Sequence, residues 1–303
     1  MRRSSRWPRT RERRVSSWPE PVAPAVERLA TVDAFIDAAG AFLVAREAEH
    51  SLILGICSNL QLGIRPSANG PLEFLVVRAA GEVVLVAIQT PPYNLVLSEV
   101  DQGEAVPALA ESLAGLDLPG VLGPTGHAGS FAQHWGAEAG RTPILQMRER
   151  IFRLSTVRPP PNPVTGRLRV AGPEDRDLVI GWFADFRDEA LPPSTPPVPD
   201  DLVDRRIATG GVFLWDDAGP VSLTVVGSRT PNGARIGPVY TPPDRRGRGY
   251  ASACVAGASQ AQLNRGLAFV FLFTDLANPT SNHIYQEIGY DPVRDIDSWR
   301  FEV

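Results

Sequence analysis

Lysine is missing from all 303 residues, so each of the 30 basic side chains is arginine. A lysine Schiff base and a P-loop lysine both require the ammonium group, and both chemistries are thereby excluded. Cysteine is nearly as scarce. Cys57 and Cys254 are the two present, and their separation matches no CxxC or zinc spacing, which argues against a disulfide framework and leaves both as small buried apolar residues. The four histidines, His50, His127, His134 and His283, form no HxxxH or HExxH pair, so no metal site is expected. No apolar run approaches the roughly 18 residues that span a bilayer, and Arg2-Arg3 is followed by no apolar core of an export signal. A cytoplasmic protein without a membrane partner is expected. The formal charge of −4 lacks the basic excess of a nucleic-acid binder, so no nucleic-acid partner is expected either.

The length suits two domains of ordinary size. Residues 1–21 read as a disordered arginine-rich tail, with seven arginines in the first 20 residues and little apolar content. Residues 158–166, RPPPNPVTG, carry four prolines in nine positions and read as a linker. That places one α+β unit at 22–157 and a second at 167–303. In the first, residues 24–50 predict two helical pieces through Leu29, Val32, Phe35 and Ile36, and Leu52 to Cys57 is either helix or strand. Strands follow at Leu72 to Arg78, Glu82 to Gln89 and Asn94 to Leu97, then a helix at Val106 to Leu113, a short strand at Gly120 to Leu122, a helix at Ala128 to Ala139 and a closing strand at Ile144 to Leu154. In the second, a strand at Arg167 to Val170 leads to a helix entered at Pro173, a second helix at Asp200 to Thr209, and strands at Val212 to Trp215, Val221 to Ser228 and 234–241. A helix at Ser252 to Asn264, a strand at Leu267 to Thr274, a short helix at Asn282 to Ile288 and a strand at Ser298 to Val303 complete it.

The stretch Ile236 to Tyr250, IGPVYTPPDRRGRGY, carries the chemistry. A buried strand runs into a glycine-rich turn and then a helix, whose first-turn amides lack carbonyl partners and whose dipole favours an anion. Arg245, Arg246 and Arg248 add fork-shaped donors suited to phosphate. Further on, NPTSNHIYQEIGY places Asn278 seven residues before Tyr285.

With the strand before the turn, RGRGYA and this second motif, residues 167–303 resemble the GCN5-related N-acetyltransferase (GNAT) superfamily. The resemblance implies two GNAT-like domains, each a mixed and mostly antiparallel sheet flanked by helices. It implies acetyl-CoA as cosubstrate, no metal, and transfer of the acetyl group directly to a primary amine of a small-molecule or peptide acceptor, with a homodimer as the open assembly. CoA contacts would fall to Val239, Tyr240, Thr241, Arg246, Gly247, Arg248, Gly249, Tyr250, Ala251, Ser252 and Asn278, and Tyr285 would serve as acid to the departing thiolate. The strand ARIGPVYTPP carries no carboxylate where many relatives have a glutamate. Asp188, Glu189 and His283 are the alternatives, and Glu189 is carried forward as the catalytic base. That gap also favours a rival reading, a non-catalytic acetyl-CoA-binding regulatory or scaffolding protein. The first unit looks like a worn copy of the same fold. After Asn94 to Leu97 it reads SEVDQGEAVPA, with no RxxGxG and an excess of acid, so it is not expected to bind CoA. Gly120, Gly123 and Gly126 lack the register of a nucleotide loop and read as a turn-rich connection.

Overall fold

A computed structural model describes residues 23–64, 70–193 and 195–302; the arginine-rich tail lies outside the described residues, as does Val303. The first half runs β1 (Ala25–Leu29), α1 (Val32–Ala45), α2 (Ser51–Gln61), β2 (Glu73–Ala79), β3 (Glu82–Gln89), β4 (Leu95–Leu97), α3 (Ala105–Ser112), β5 (Gly120–Pro124), α4 (His127–Ala139) and β6 (Thr142–Leu154). The second half repeats that order: β7 (Arg167–Val170), α5 (Arg176–Ala190), α6 (Asp200–Ala208), β8 (Val212–Asp216), β9 (Pro220–Arg229), β10 (Gly233–Tyr240), α7 (Tyr250–Asn264), β11 (Phe269–Asp275), α8 (Pro279–Glu287) and β12 (Asp291–Glu302). Among the described residues no helix is long and apolar enough to cross a membrane.

Three elements differ from the sequence reading. Residues 25–29 are an edge strand paired with β2, not part of a helix. Five residues are too few for periodicity to separate the two, and the helix proper starts after Thr31, whose hydroxyl caps the amide of Ala34 at 3.2 Å. The last strand begins at Asp291, seven residues before Ser298, because DPVRDID owes its conformation to a ladder with β6 rather than to apolar content. The short helix starts at Pro279, with the Asn278 side chain accepting from the amide of Ser281 at 3.0 Å as N-cap. The ambiguous Leu52 to Cys57 is helical within α2.

The twelve strands of the described residues form one sheet, ordered β1-β2-β3-β4-β5-β12-β6-β11-β10-β9-β8-β7. Only β4 with β5 and β10 with β11 run parallel, so the sheet is mixed and mostly antiparallel. Its centre holds an exchange. β12, the last strand of the second half, pairs with β5 of the first half, and β6, the last strand of the first half, pairs with β11 of the second. The exchanged strands also pair with each other from Asp291↔Arg153 to Glu302↔Thr142. Each half thus completes the other's sheet.

β11 reads FVFLFTD because both of its faces are covered. Val270 and Leu272 pack with Val255 of α7, Tyr285 and Tyr290, whereas Phe269, Phe271 and Phe273 meet Ala48 from the first half on the opposite face. The first half reaches that face through polar contacts too. The Glu47 carboxylate accepts from the backbone and side-chain nitrogens of Asn232, both at 2.7 Å, and Asn59 Nδ2 donates to Ser228 Oγ at 3.0 Å.

Candidate active site

β10 and β11 pair only from Gly233↔Phe269 to Arg235↔Phe271, after which they diverge. From Ile236 onward the β11-facing edge of β10 has no strand partner, and β9 holds β10 from the other side through an irregular register between Ile236 and Val239. This splay opens a cleft of about 790 Å³. Val239, Tyr240 and Thr241 line it from β10, the turn from Arg245 to Ser252 closes one end, and Asn278 and Tyr285 stand on the α8 side.

The glycine turn is built as an anion cradle. Gly247 and Gly249 have φ of +74° and +83°, a region that costs other residues energy, and Gly249 is the N-cap of the 15-residue α7. Among the described residues the amides from Gly247 to Ser252 find no carbonyl partner; the first amide to bond back is Ala253, to the carbonyl of Gly249 at 3.0 Å. Such a row of free donors at the positive end of a helix fits a pyrophosphate. Tyr250 points elsewhere: its hydroxyl donates to Asp217 at 2.6 Å, a carboxylate that also accepts from Thr165 at 2.8 Å, which ties the turn to the proline-rich segment.

Glu189 and Arg246 come together, but with each other. Arg246 donates to Glu189 Oε2 at 2.5 Å and to the carbonyl of Thr241 at 2.8 Å, while Tyr240 donates to Glu189 Oε1 at 3.1 Å. Burial and then this hydrogen bond push the Tyr240 phenol up to about 12. With both oxygens engaged, Glu189 locks the turn to α5. Arg246 shapes the cradle from the same lock, and Arg248 reaches the carbonyl of Asp244 at 3.3 Å. His283 is exposed on α8 beside Glu287, outside the cleft lining.

Tyr285 is buried against Phe152 and Tyr290, with ring centroids 6.5 and 5.9 Å away. Burial pushes its phenol up to about 12. A free thiol ionises near 8.5, well below that value. Asn278 caps α8, and its carbonyl accepts from Asn282 Nδ2 at 2.7 Å.

Sequence reasoning missed five charged residues lining this cleft, Glu149, Arg187, Arg206, Arg235 and Asp275. Glu149 belongs to β6 of the first half and pairs opposite Asp275 of β11. Burial raises its carboxyl above the usual range; Arg235 opposes that shift and Asp275 adds to it. Arg235, on β10, has a buried Nε without a hydrogen-bond partner, and its guanidinium lies 4.7 Å from the Phe273 ring centroid. Arg206, on α6, lies 5.7 Å from the Phe183 ring centroid, and burial pulls its pKa down to about 10, with Arg235 contributing. The available signal was the period of two in β6: Met147, Glu149 and Ile151 share one face, and a carboxylate between apolar neighbours is out of place on a face meant only for packing. Among the described residues no group of three metal-ligating side chains occurs.

The corresponding place in the first half is filled. Between the ends of β4 and β5 lies a pocket of only about 10 Å³. In the loop after β4 the amides of Ser98 and Asp101 bond the carbonyls of Val86 and Val84 at 3.0 Å each, and that of Glu99 bonds His50 Nε2 at 3.1 Å. Arg294 of β12 pairs with Glu99 at 2.6 Å.

Known proteins share this architecture. No curated protein matches the chain. Among solved structures, an acetyltransferase of the GNAT family from Colwellia psychrerythraea superposes with a TM-score of 0.55 at 10% identity, covering 92% of this chain and 100% of its own. A Drosophila protein gives 0.64 at 16% identity, covering 92% and 98%. A tandem GNAT protein from the clavulanic acid biosynthesis pathway gives 0.51 at 14%, covering 92% and 97%. These identities speak for the fold, and the coverage extends that fold to both halves. The acetyltransferase (GNAT) family model matches residues 170–290, the segment that carries the splayed strands, the glycine turn and the tyrosine on α8. Residues 170–290 of this chain form a domain that matches the acetyltransferase (GNAT) family.

Proposed function

We propose that the protein is an N-acetyltransferase that moves an acetyl group from acetyl-CoA to a primary amine, with Glu149 as the base. The observation that carries this reading is a single cleft joining the free amides of the glycine turn to a carboxylate of elevated pKa. Acetyl-CoA, when bound, supplies the acyl thioester. The amides from Gly247 to Ser252 hold its pyrophosphate, Glu189 and Arg246 keep that turn in shape, and the open edge of β10 near Val239 and Thr241 offers backbone donors to the carbonyl oxygen. Glu149 accepts the proton that the attacking nitrogen sheds as the C–N bond forms. Tyr285 donates a hydrogen bond to the sulfur as the C–S bond breaks.

The absence of a carboxylate on β10 favoured a non-catalytic acetyl-CoA binder. In this reading Glu149 answers that objection, because the base enters from β6, on the far side of β11 from β10. In this reading the first half is a scaffold: it donates Glu149 and binds no CoA of its own. The test is a panel of primary amines assayed by release of the CoA thiol. We expect turnover on at least one member, and Glu149→Gln to lower kcat about 100-fold or more while acetyl-CoA affinity measured calorimetrically holds. Tight acetyl-CoA binding with no turnover on any amine would replace the enzyme with the non-catalytic binder.

A further inference from the structure

The acceptor side of the cleft lies on the sheet face shared by Phe273, Arg235 and Glu149, beneath α5 and α6. Among the described residues two arginines there make no salt bridge, although Glu149 lies near enough to Arg235 for the two charges to act on each other. Among the described residues each guanidinium rests on an aromatic ring instead, Arg235 on Phe273 and Arg206 on Phe183. Arg235 Nε is buried and makes no hydrogen bond, which leaves that donor open to a partner. Placing two like charges side by side in a partly desolvated pocket is unfavourable for packing alone.

We propose that the amine acceptor carries a carboxylate beside its amine, held by Arg235 and Arg206 while Glu149 faces the nitrogen: an amino acid with an apolar side chain. This rests on the acetyl-transfer reading above. The guanidinium fork matches a carboxylate in two parallel hydrogen bonds. A phosphate would suit the same fork, but Glu149 and Asp275 line this part of the cleft, and a dianion meets more repulsion from them than a monoanion does. The same two carboxylates attract the ammonium end of a zwitterion. Phe183, Phe186 and Leu191 supply an apolar wall for a side chain.

The test compares leucine and phenylalanine with their carboxamides as acceptors, by thiol release with acetyl-CoA and by calorimetry in the presence of CoA. The free acids are expected to exceed the amides in kcat/KM by about 100-fold, the range of a charge-assisted pair lost from a buried site. Arg235→Gln, and Arg206→Gln as a second variant nearer the rim, should each reduce that preference to about tenfold or less while acetyl-CoA affinity holds. Amides accepted as well as acids would overturn the carboxylate pocket and leave acetyl transfer standing. Free acids that bind but are never acetylated, with amides not binding, would overturn transfer and keep the pocket. Neither binding nor acetylation of any free acid would overturn the proposal.

Discussion

Glu149 ionises between opposed neighbours. Burial raises its pKa first of all, Arg235 pulls it back, and Asp275 pushes it further up. As a base it works only when deprotonated, so the acidic limb of kcat/KM against pH reports its pKa in the free enzyme. Arg235→Gln removes a cation that stabilises the carboxylate, and the limb should move to higher pH. Asp275→Asn removes an anion that destabilises it, and the limb should move to lower pH. Arg206, another cation lining the cleft, has its own pKa lowered by Arg235 and is not among the neighbours that shift Glu149. Opposite displacements in pH profiles of the two variants would be hard to obtain from a general loss of structure; displacement in the same direction, or none, would remove Glu149 from the role. Glu189, the carboxylate favoured by sequence, illustrates the difference. Its position at the end of α5 was legible, but its commitment to Tyr240 and Arg246 was not, because a pairing across 57 positions leaves no trace in local pattern.

At the scale of the element, the strand, glycine turn and helix from β10 to α7 were legible nearly residue by residue, since glycine spacing and the shift from strand to helix are local signals. Their geometry separates two glycines that look alike in RGRG. A Cβ on Gly247 would meet nothing within 4 Å, whereas one on Gly249 would lie 3.0 Å from Val164 Cγ1 and 3.5 Å from the carbonyl of Asn162. Both pay the left-handed backbone cost of about 1 kcal/mol when replaced by alanine. Gly249→Ala adds the crowding against the proline-rich segment, so it should destabilise the protein more than Gly247→Ala in chemical denaturation. Equal losses would show that residues 162–164 yield freely. Gly249→Asp adds a carboxylate among the free amides and should abolish calorimetric binding of acetyl-CoA. The elements that were misread, β1 and the first half of β12, owe their conformation to distant ladders instead.

For the molecule as a whole, the exchange of β6 and β12 makes the two halves one structure. The proline-rich segment marked a division of the chain by composition, and β6 ended the first unit in that reading; its alternation identified a strand and its faces, but alternation does not name a partner. In the fold, β6 lies between β11 and β12, so a fragment of residues 158–303 would leave both of those strands with open edges and would expose Leu272, Phe273 and their neighbours beside them. That fragment expressed alone should aggregate or fail to bind acetyl-CoA. Co-expressed with residues 23–157 it should recover a soluble one-to-one complex by gel filtration, because the exchanged strands supply eleven paired positions between the pieces. The same complex isolates the origin of the base. A first fragment carrying Glu149→Gln should still assemble and still bind acetyl-CoA, yet leave the second fragment without transfer activity, whereas an unaltered first fragment restores it. A fragment of residues 158–303 that is monomeric, folded and active alone would show that β6 is dispensable, and with it the contribution of the first half to catalysis.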